Sequence, residues 1–166
     1  MIIVYTSKTG FTKRYADLLA EKTGLLAYPA TKVPRELEKE DILYLGWMKV
    51  GKVQGLNKVQ REKIRAVCGS GTGETAEPDP ETVIARNDLA KIPFFYLRGG
   101  CFPLKEQKGV DKLMLTAFVR MLKTREPQDS KTEEAIRIIV EGFDGVKAEN
   151  LEPVLQWLQE EGEWRQ

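Results

Sequence analysis

Histidine is absent from the 166-residue chain, and cysteine occurs only twice, at Cys68 and Cys101. The lack of histidine excludes histidine-based acid–base catalysis and histidine metal ligation, and two scattered cysteines cannot complete a zinc site. We expect each cysteine to be a small buried hydrophobe, with a redox pair between them as the alternative. This cysteine usage, together with the lack of a charged and apolar leader pattern, predicts a cytoplasmic protein.

A large excess of one charge is also missing, because the chain has 26 basic and 25 acidic residues. The balance provides no global electrostatic basis for binding nucleic acid or an anionic membrane surface. No apolar run approaches the roughly 18 residues that a membrane-spanning helix needs, so we expect no such segment. The length is typical of one domain, and a single domain covering residues 1–166 is the prediction.

The chain does contain short apolar runs that alternate with helical patterns. Runs at 1–6, 25–28, 42–46, 64–68 and 93–97 are almost continuously apolar, which is typical of strands buried on both faces of a parallel sheet. Amphipathic or helix-forming stretches between them predict helices at 11–23, 56–63 and 80–90, and a short helical turn within 33–40. This order predicts an α/β fold, a doubly wound five-stranded sheet with helices on both faces.

After the fifth strand the pattern predicts an extended helical tail with helices at 110–122, 131–141 and 150–160. Ser130 and Glu133 have the spacing of a capping box for the second of these helices. The first helix is apolar around most of its circumference, so we expect the other two to fold over it. The alternatives are a homodimer through residues 110–122, a membrane surface or an apolar substrate such as a quinone.

The sequence SKTGFT, residues 7–12, occupies the turn between the first strand and the first helix. In such sheets this turn is the usual anion site, because helix N-terminal amides point outward and favour a phosphate. Gly10 would let the backbone approach closely, while Ser7, Thr9 and Thr12 could add hydroxyl donors. The alternative is that Ser7 or Thr9 only caps the helix.

A second glycine pattern, GWMKVGK at residues 46–52, fits the spacing of a nucleotide-binding P-loop. Val53 follows it, where a magnesium-binding hydroxyl would be required, and no helix is predicted to begin there. We therefore interpret this match as coincidence.

The apolar strand, the motif Ser7-x-Thr9-Gly10-x-Thr12 and the helix together resemble the FMN phosphate loop of flavodoxins. The resemblance implies FMN as cofactor and a strand order of 2-1-3-4-5. Two later loops, at 46–52 and 69–74, are similar in position to the loops that bracket the flavin ring, and Trp47 is the aromatic placed to stack on it unless it only covers the sheet end. The cofactor-binding residues implied are Ser7, Lys8, Thr9, Gly10, Phe11 and Thr12 for the phosphate, and Trp47, Met48, Lys49, Val50, Gly51, Ser70, Gly71, Thr72 and Gly73 for the ring.

Segments 96–103, 112–115 and 145–153 look similar to the flavodoxin-like branch that includes menaquinone-dependent protoporphyrinogen dehydrogenase. The chain lacks the strong acidity of electron-carrier flavodoxins, and no acid, base or nucleophile constellation is visible in it. The resemblance implies an FMN-dependent oxidoreductase or electron-transfer protein, whose partner is a redox protein or a quinone- or porphyrinogen-type molecule. The alternatives are a quinone-linked enzyme like that dehydrogenase and a regulatory or interaction module without redox activity.

Overall fold

Five parallel strands form the central sheet of the computed structural model, which describes residues 1–124 and 129–162. The order across the sheet is β2-β1-β3-β5-β6, and a short strand, β4, pairs antiparallel with the end of β3. This is the predicted flavodoxin-like α/β topology. The strands are β1 (Ile2–Thr6), β2 (Ala27–Pro29), β3 (Ile42–Lys49), β4 (Lys52–Val53), β5 (Ile64–Gly71) and β6 (Phe94–Arg98).

The chain divides into two compact units. The sheet unit consists of Met1–Gly99 together with Val146–Gln166, and the second unit is Gly100–Gly145.

Two helices of the sheet unit, α1 (Phe11–Thr23) and α5 (Glu152–Glu160), pack in one core with one face of the strands. Strand side chains alternate between faces, so Ile3 joins this core while Ile2 and Val4 join the core on the opposite face. Helix α1 ends at Gly24, whose left-handed φ of 75° lets its amide bond back to Ala20.

The opposite face carries α2 (Pro80–Arg86) and two short 3₁₀ turns, Leu56–Lys58 and Arg61–Lys63. The predicted helix at 56–63 is therefore wrong. Gly55 enters the segment with a φ of 86°, and the β-branched Val59 is extended and separates the two turns. Helix α2 is shorter than predicted, because Asn87 leaves helical geometry and Asp88 has a φ of 52°.

The largest difference from the predicted strands lies at 46–52. This segment is the end of β3, a tight turn and the first residue of β4, rather than an open loop. Elsewhere the predictions shift by a few residues: the turn within 33–40 is the 3₁₀ helix Arg35–Leu37, and α5 is preceded by the 3₁₀ helix Ala148–Leu151.

The second unit contains α3 (Gly109–Lys123), α4 (Ser130–Glu141) and an antiparallel ribbon of β7 (Gly100–Cys101) and β8 (Phe143–Asp144). The two predicted tail helices here are confirmed, and they pack against each other. The third helix, predicted at 150–160 to fold over the first, is α5 and instead packs in the core of the sheet unit. The capping box is wrong, because Asp129 is the N-cap and its carboxylate accepts the Thr132 amide at 2.7 Å. Hydrogen bonds from the Thr132 side chain and then from its amide hold the pKa of Asp129 below its usual value.

None of the helices formed by the described residues is both long enough and apolar enough to cross a membrane.

Candidate functional site

The loop between β1 and α1 enters the helix through a glycine in a left-handed conformation. Gly10 is the N-cap of α1 with a left-handed φ of 95°, and its amide donates to the Ser7 hydroxyl at 3.1 Å. No side chain caps this helix, so the capping role considered for Ser7 or Thr9 is wrong. The first turn carries no acidic residue that would neutralise the positive end of the helix dipole.

The hydroxyl residues of this loop differ in exposure. Thr9 is exposed and Ser7 half-buried, whereas Thr12, in the first turn of α1, is only 2% exposed. Lys8 extends toward the end of β3, where its ammonium lies 5.3 Å from the centre of the Trp47 ring. The phosphate-loop motif and the predicted stacking residue are therefore neighbours.

A β-turn at Val50 and Gly51 joins β3 to β4 and is held in place by α2. Both residues have positive φ, 50° and 72°, and Val50 is 79% exposed. The buried Asn87 side chain donates to the Gly51 carbonyl at 2.9 Å and accepts the Val53 amide at 2.9 Å. Arg86 donates to the Val50 carbonyl at 3.0 Å. These contacts fix the turn although its own conformation is unfavourable for valine.

The segment that follows β5 is positioned by the next strand. Tyr96 in β6 donates its hydroxyl hydrogen to the Gly73 carbonyl at 2.7 Å, and burial raises the pKa of this phenol. A Cβ on Gly71 would lie 2.9 Å from the Tyr96 oxygen, and one on Gly99 would lie 2.6 Å from the Ser70 hydroxyl. Glycine is required at both positions for the backbone to lie this close.

Between this segment and the β3–β4 turn lies a cavity of about 580 Å³. This volume is within the range of small-molecule and cofactor sites, about 300–1,000 Å³. Five of its lining residues were predicted from the sequence, namely Met48, Val50, Gly71, Thr72 and Gly73. Sequence reasoning missed the other four, Glu77, Pro78, Arg86 and Tyr96. Only Tyr96 carried a usable signal, as an aromatic near the end of the last strand.

The other predicted ring-binding residues, Trp47, Lys49, Gly51 and Ser70, do not line this cavity, so far as the described residues define it. Trp47 pairs in register with Ser70 across β3 and β5, and Lys49 is exposed at the end of β3. Gly51 is buried, and a Cβ there would lie 2.9 Å from the Arg86 guanidinium. The loop of residues 7–12 forms a separate feature at the end of β1.

Within residues 1–124 and 129–162, no three histidine, cysteine, aspartate or glutamate side chains are grouped so that they could hold an ion. Cys68 is completely buried and Cys101 partly buried, and both are free thiols.

Comparison with protein-family profiles gave no match to this chain, and a search of curated proteins found no significant relative.

Proposed function

We propose that this protein binds FMN and acts as an FMN-dependent oxidoreductase or electron-transfer protein. The observation that carries the proposal is the common location of two features. The N-terminus of α1 follows β1, and the cavity lies at the ends of β3 and β5. Because these three strands are parallel neighbours, their carboxyl ends share one edge of the sheet. Ligands of doubly wound folds bind at that edge.

The chemistry of the residues present fits both halves of FMN. The loop of residues 7–12 offers three hydroxyls, the cation of Lys8 and helix N-terminal amides, with no acidic side chain in the first turn of α1. This donor set suits a phosphate dianion. The cavity combines glycine backbone and the side chains of Met48 and Tyr96 with the charged groups of Glu77 and Arg86, which suits a flat ring with polar edges.

In this proposal FMN, when bound, supplies the redox chemistry, and the protein supplies binding, orientation and exclusion of water. Gly10 would let the backbone approach the phosphate closely, and the first amides of α1 would hold it. The Tyr96 phenol stays protonated and donates a hydrogen bond to the Gly73 carbonyl, so the segment after β5 stays fixed. Asn87 fixes the opposite wall through the Gly51 carbonyl and the Val53 amide.

The test compares FMN with riboflavin, which lacks the phosphate, on the wild type and on Thr12→Val. Valine keeps the shape of threonine and removes the hydroxyl. Hydrogen bonds to charged groups contribute about 1.5–3 kcal/mol, so FMN binding should weaken by roughly tenfold or more while riboflavin binding stays unchanged. An exposed threonine of the sheet unit, changed as Thr31→Val, is the matched control and should alter neither affinity.

If the wild-type protein binds no FMN, the proposal fails and a regulatory or interaction module becomes the better hypothesis. If Thr12→Val weakens the binding of FMN and of riboflavin equally, the loop does not bind the phosphate. The narrower hypothesis of a protoporphyrinogen dehydrogenase-like enzyme is tested separately, by anaerobic mixing of the FMN-loaded protein with quinones and porphyrinogens.

A further inference from the structure

Exposed apolar side chains are concentrated in the second unit. Among the described residues, seven of the nine large hydrophobic side chains that remain exposed belong to it. They are Phe102, Val110, Leu113, Met114, Phe118, Met121 and Val140. Contiguous exposure of this kind marks an interaction surface, whereas single exposed hydrophobics need no explanation.

Most of these side chains form one line along α3, which we call the apolar stripe. It consists of Val110, Leu113, Met114, Ala117, Phe118 and Met121, at the i, i+3, i+4, i+7, i+8 and i+11 positions that share one side of a helix. Its large members are 43% to 72% exposed. A different side of α3 serves the fold, since Val119 and Leu122 are buried. The apolar stripe is therefore additional to what the second unit needs for its own core.

The charges of this region are unevenly distributed, although the whole chain is nearly neutral. Residues 105–124 contain five basic and two acidic side chains, whereas residues 129–145 contain two basic and five acidic ones. On α3 itself, Lys112, Arg120 and Lys123 are exposed, and the helix has a single acid, Asp111. The apolar stripe thus lies on the positively charged part of the second unit.

We propose that α3 docks the protein on the surface of an anionic lipid bilayer, with the apolar stripe in contact with the acyl chains. A helix that combines a wide apolar face with Lys and Arg on its polar face is the usual form of an interfacial membrane anchor. Long basic side chains can reach lipid headgroups while their stems lie along apolar surface. At 15 residues α3 would be roughly 22 Å long, too short to span the hydrocarbon core but suited to lying in its plane.

Charge favours a bilayer over a second copy of the chain as the occupant. Two copies that paired through the same stripe would bring a net positive charge from each α3 to one interface. An anionic bilayer instead supplies the opposite charge to Lys112, Arg120 and Lys123. The proposal is independent of the cofactor.

The experiment is sedimentation of the full-length protein with vesicles of phosphatidylcholine alone or with added phosphatidylglycerol. We expect binding only to the anionic vesicles, weakening as salt is raised. The variant Leu113→Glu/Phe118→Glu should bind at least about tenfold more weakly, since it puts two charges into the acyl region. Replacing Lys112, Arg120 and Lys123 by glutamine should weaken binding by roughly fivefold for each charge removed, with the apolar stripe intact. The matched control is Leu26→Glu, at an exposed leucine of the sheet unit, which should bind like wild type.

Three results would overturn the proposal. One is a wild-type protein that stays in solution with anionic vesicles. Another is equal loss of binding in Leu26→Glu and in the stripe variant. The third is a wild-type dimer that the stripe variant converts to a monomer without changing vesicle binding, which would show that a second copy covers α3. The glutamine variants, whose changes are all at exposed positions, keep the test informative if the double glutamate variant does not fold.

Discussion

The ammonium group of Lys8 lies 5.3 Å from the centre of the Trp47 ring. A cation over an indole face is attracted by about 0.5–1 kcal/mol at exposed sites. The contact links the loop that follows β1 to the end of β3, the two segments that sequence resemblance assigned to the phosphate and the ring of FMN. One face of Trp47 is therefore occupied by Lys8, and a flavin would have to use the other face or displace the lysine.

A substitution at Trp47 tests whether the flavin ring lies against this side chain. Stacking on an indole quenches flavin fluorescence, so Trp47→Phe should make bound FMN brighter if the ring lies against this side chain. Fluorescence of the FMN-loaded protein measures the change. The control is Trp157→Phe, at a tryptophan that packs with Phe95, with ring centres 6.2 Å apart. If FMN binds normally to Trp47→Phe and remains equally dark, Trp47 serves only as a cover for the sheet end.

Asn87 should stabilise the fold more than any exposed asparagine, because its side chain connects α2 to the β3–β4 turn. Asn87→Ala would leave the Gly51 carbonyl and the Val53 amide without this partner in a region where Asn87 is 6% exposed. Unsatisfied buried groups cost about 1–3 kcal/mol each, so the free energy of unfolding should fall by roughly 2–4 kcal/mol. Urea denaturation measures it. Asn57→Ala, at an exposed position, is the control, and similar losses in both variants would contradict the role given to Asn87.

Tyr44 should make the stability depend on alkaline pH. The side chain is fully buried, and burial raises its pKa from 10.0 to about 12. Its hydroxyl donates to the Gln54 carbonyl at 2.8 Å and lies 2.8 Å from the Thr6 oxygen. The neutral phenol therefore stabilises the fold fully below pH 10, and this contribution is lost as the pH rises toward 12. Each pH unit above 10 therefore lowers the free energy of unfolding by about 1.4 kcal/mol at most.

Chemical denaturation at several alkaline pH values would show this loss in the wild type. Tyr44→Phe should be less stable at neutral pH, because it lacks the hydrogen bond to Gln54, but its stability should fall less between pH 10 and 12. Tyr96, whose pKa is also raised by burial, is present in both proteins, so its effect on stability cancels in the comparison. Parallel curves for the two proteins would show that the Tyr44 phenol does not titrate with unfolding.

The two thiols should react at different rates. Cys68 is completely buried and burial raises its pKa, whereas Cys101 is partly exposed and its pKa is raised as well. A thiol reagent at about pH 8 should therefore label Cys101 slowly and Cys68 only when the chain unfolds. Cys101→Ser should abolish labelling of the native protein. Labelling of Cys68 under native conditions would contradict its complete burial.

The positions of the strands could be predicted from the sequence pattern, whereas the strand order and the five predicted residues that line the cavity came from the resemblance to flavodoxins. Continuous apolar runs such as β3 and β5 indicate buried parallel strands, and Gly10 with its neighbouring hydroxyls indicates the turn after β1. The sequence pattern was not sufficient for the ends of these strands. Residues 46–52 contain two glycines and two lysines, which favour a loop, yet tertiary hydrogen bonds from Arg86 and Asn87 hold the segment as a hairpin. No local pattern encodes a bond between positions 36 apart.

The helix predicted at 56–63 failed for a related reason. Its composition permits a helix, but Arg61 donates to the Asn87 and Asp88 carbonyls, the latter at 3.0 Å, and Leu56 is drawn into the core. Both contacts depend on residues distant in sequence. Asp129 displaced Ser130 as the cap of α4 because either residue can accept a helix amide, and composition alone does not rank neighbouring candidates.

The position of α5 after the second unit in sequence determines when the sheet unit can complete its core during synthesis. Leu151, Val154 and Leu158 are fully buried in the same core as Ile3, and Asn150 donates to the Tyr15 hydroxyl across 135 positions. A nascent chain that ends before these residues leaves part of this face of the sheet, beside α1, exposed to water. Its apolar surface is then open to aggregation or to chaperones until Leu158 has left the ribosome. The sheet unit is thus expected to reach its native state only after the whole second unit has been synthesised.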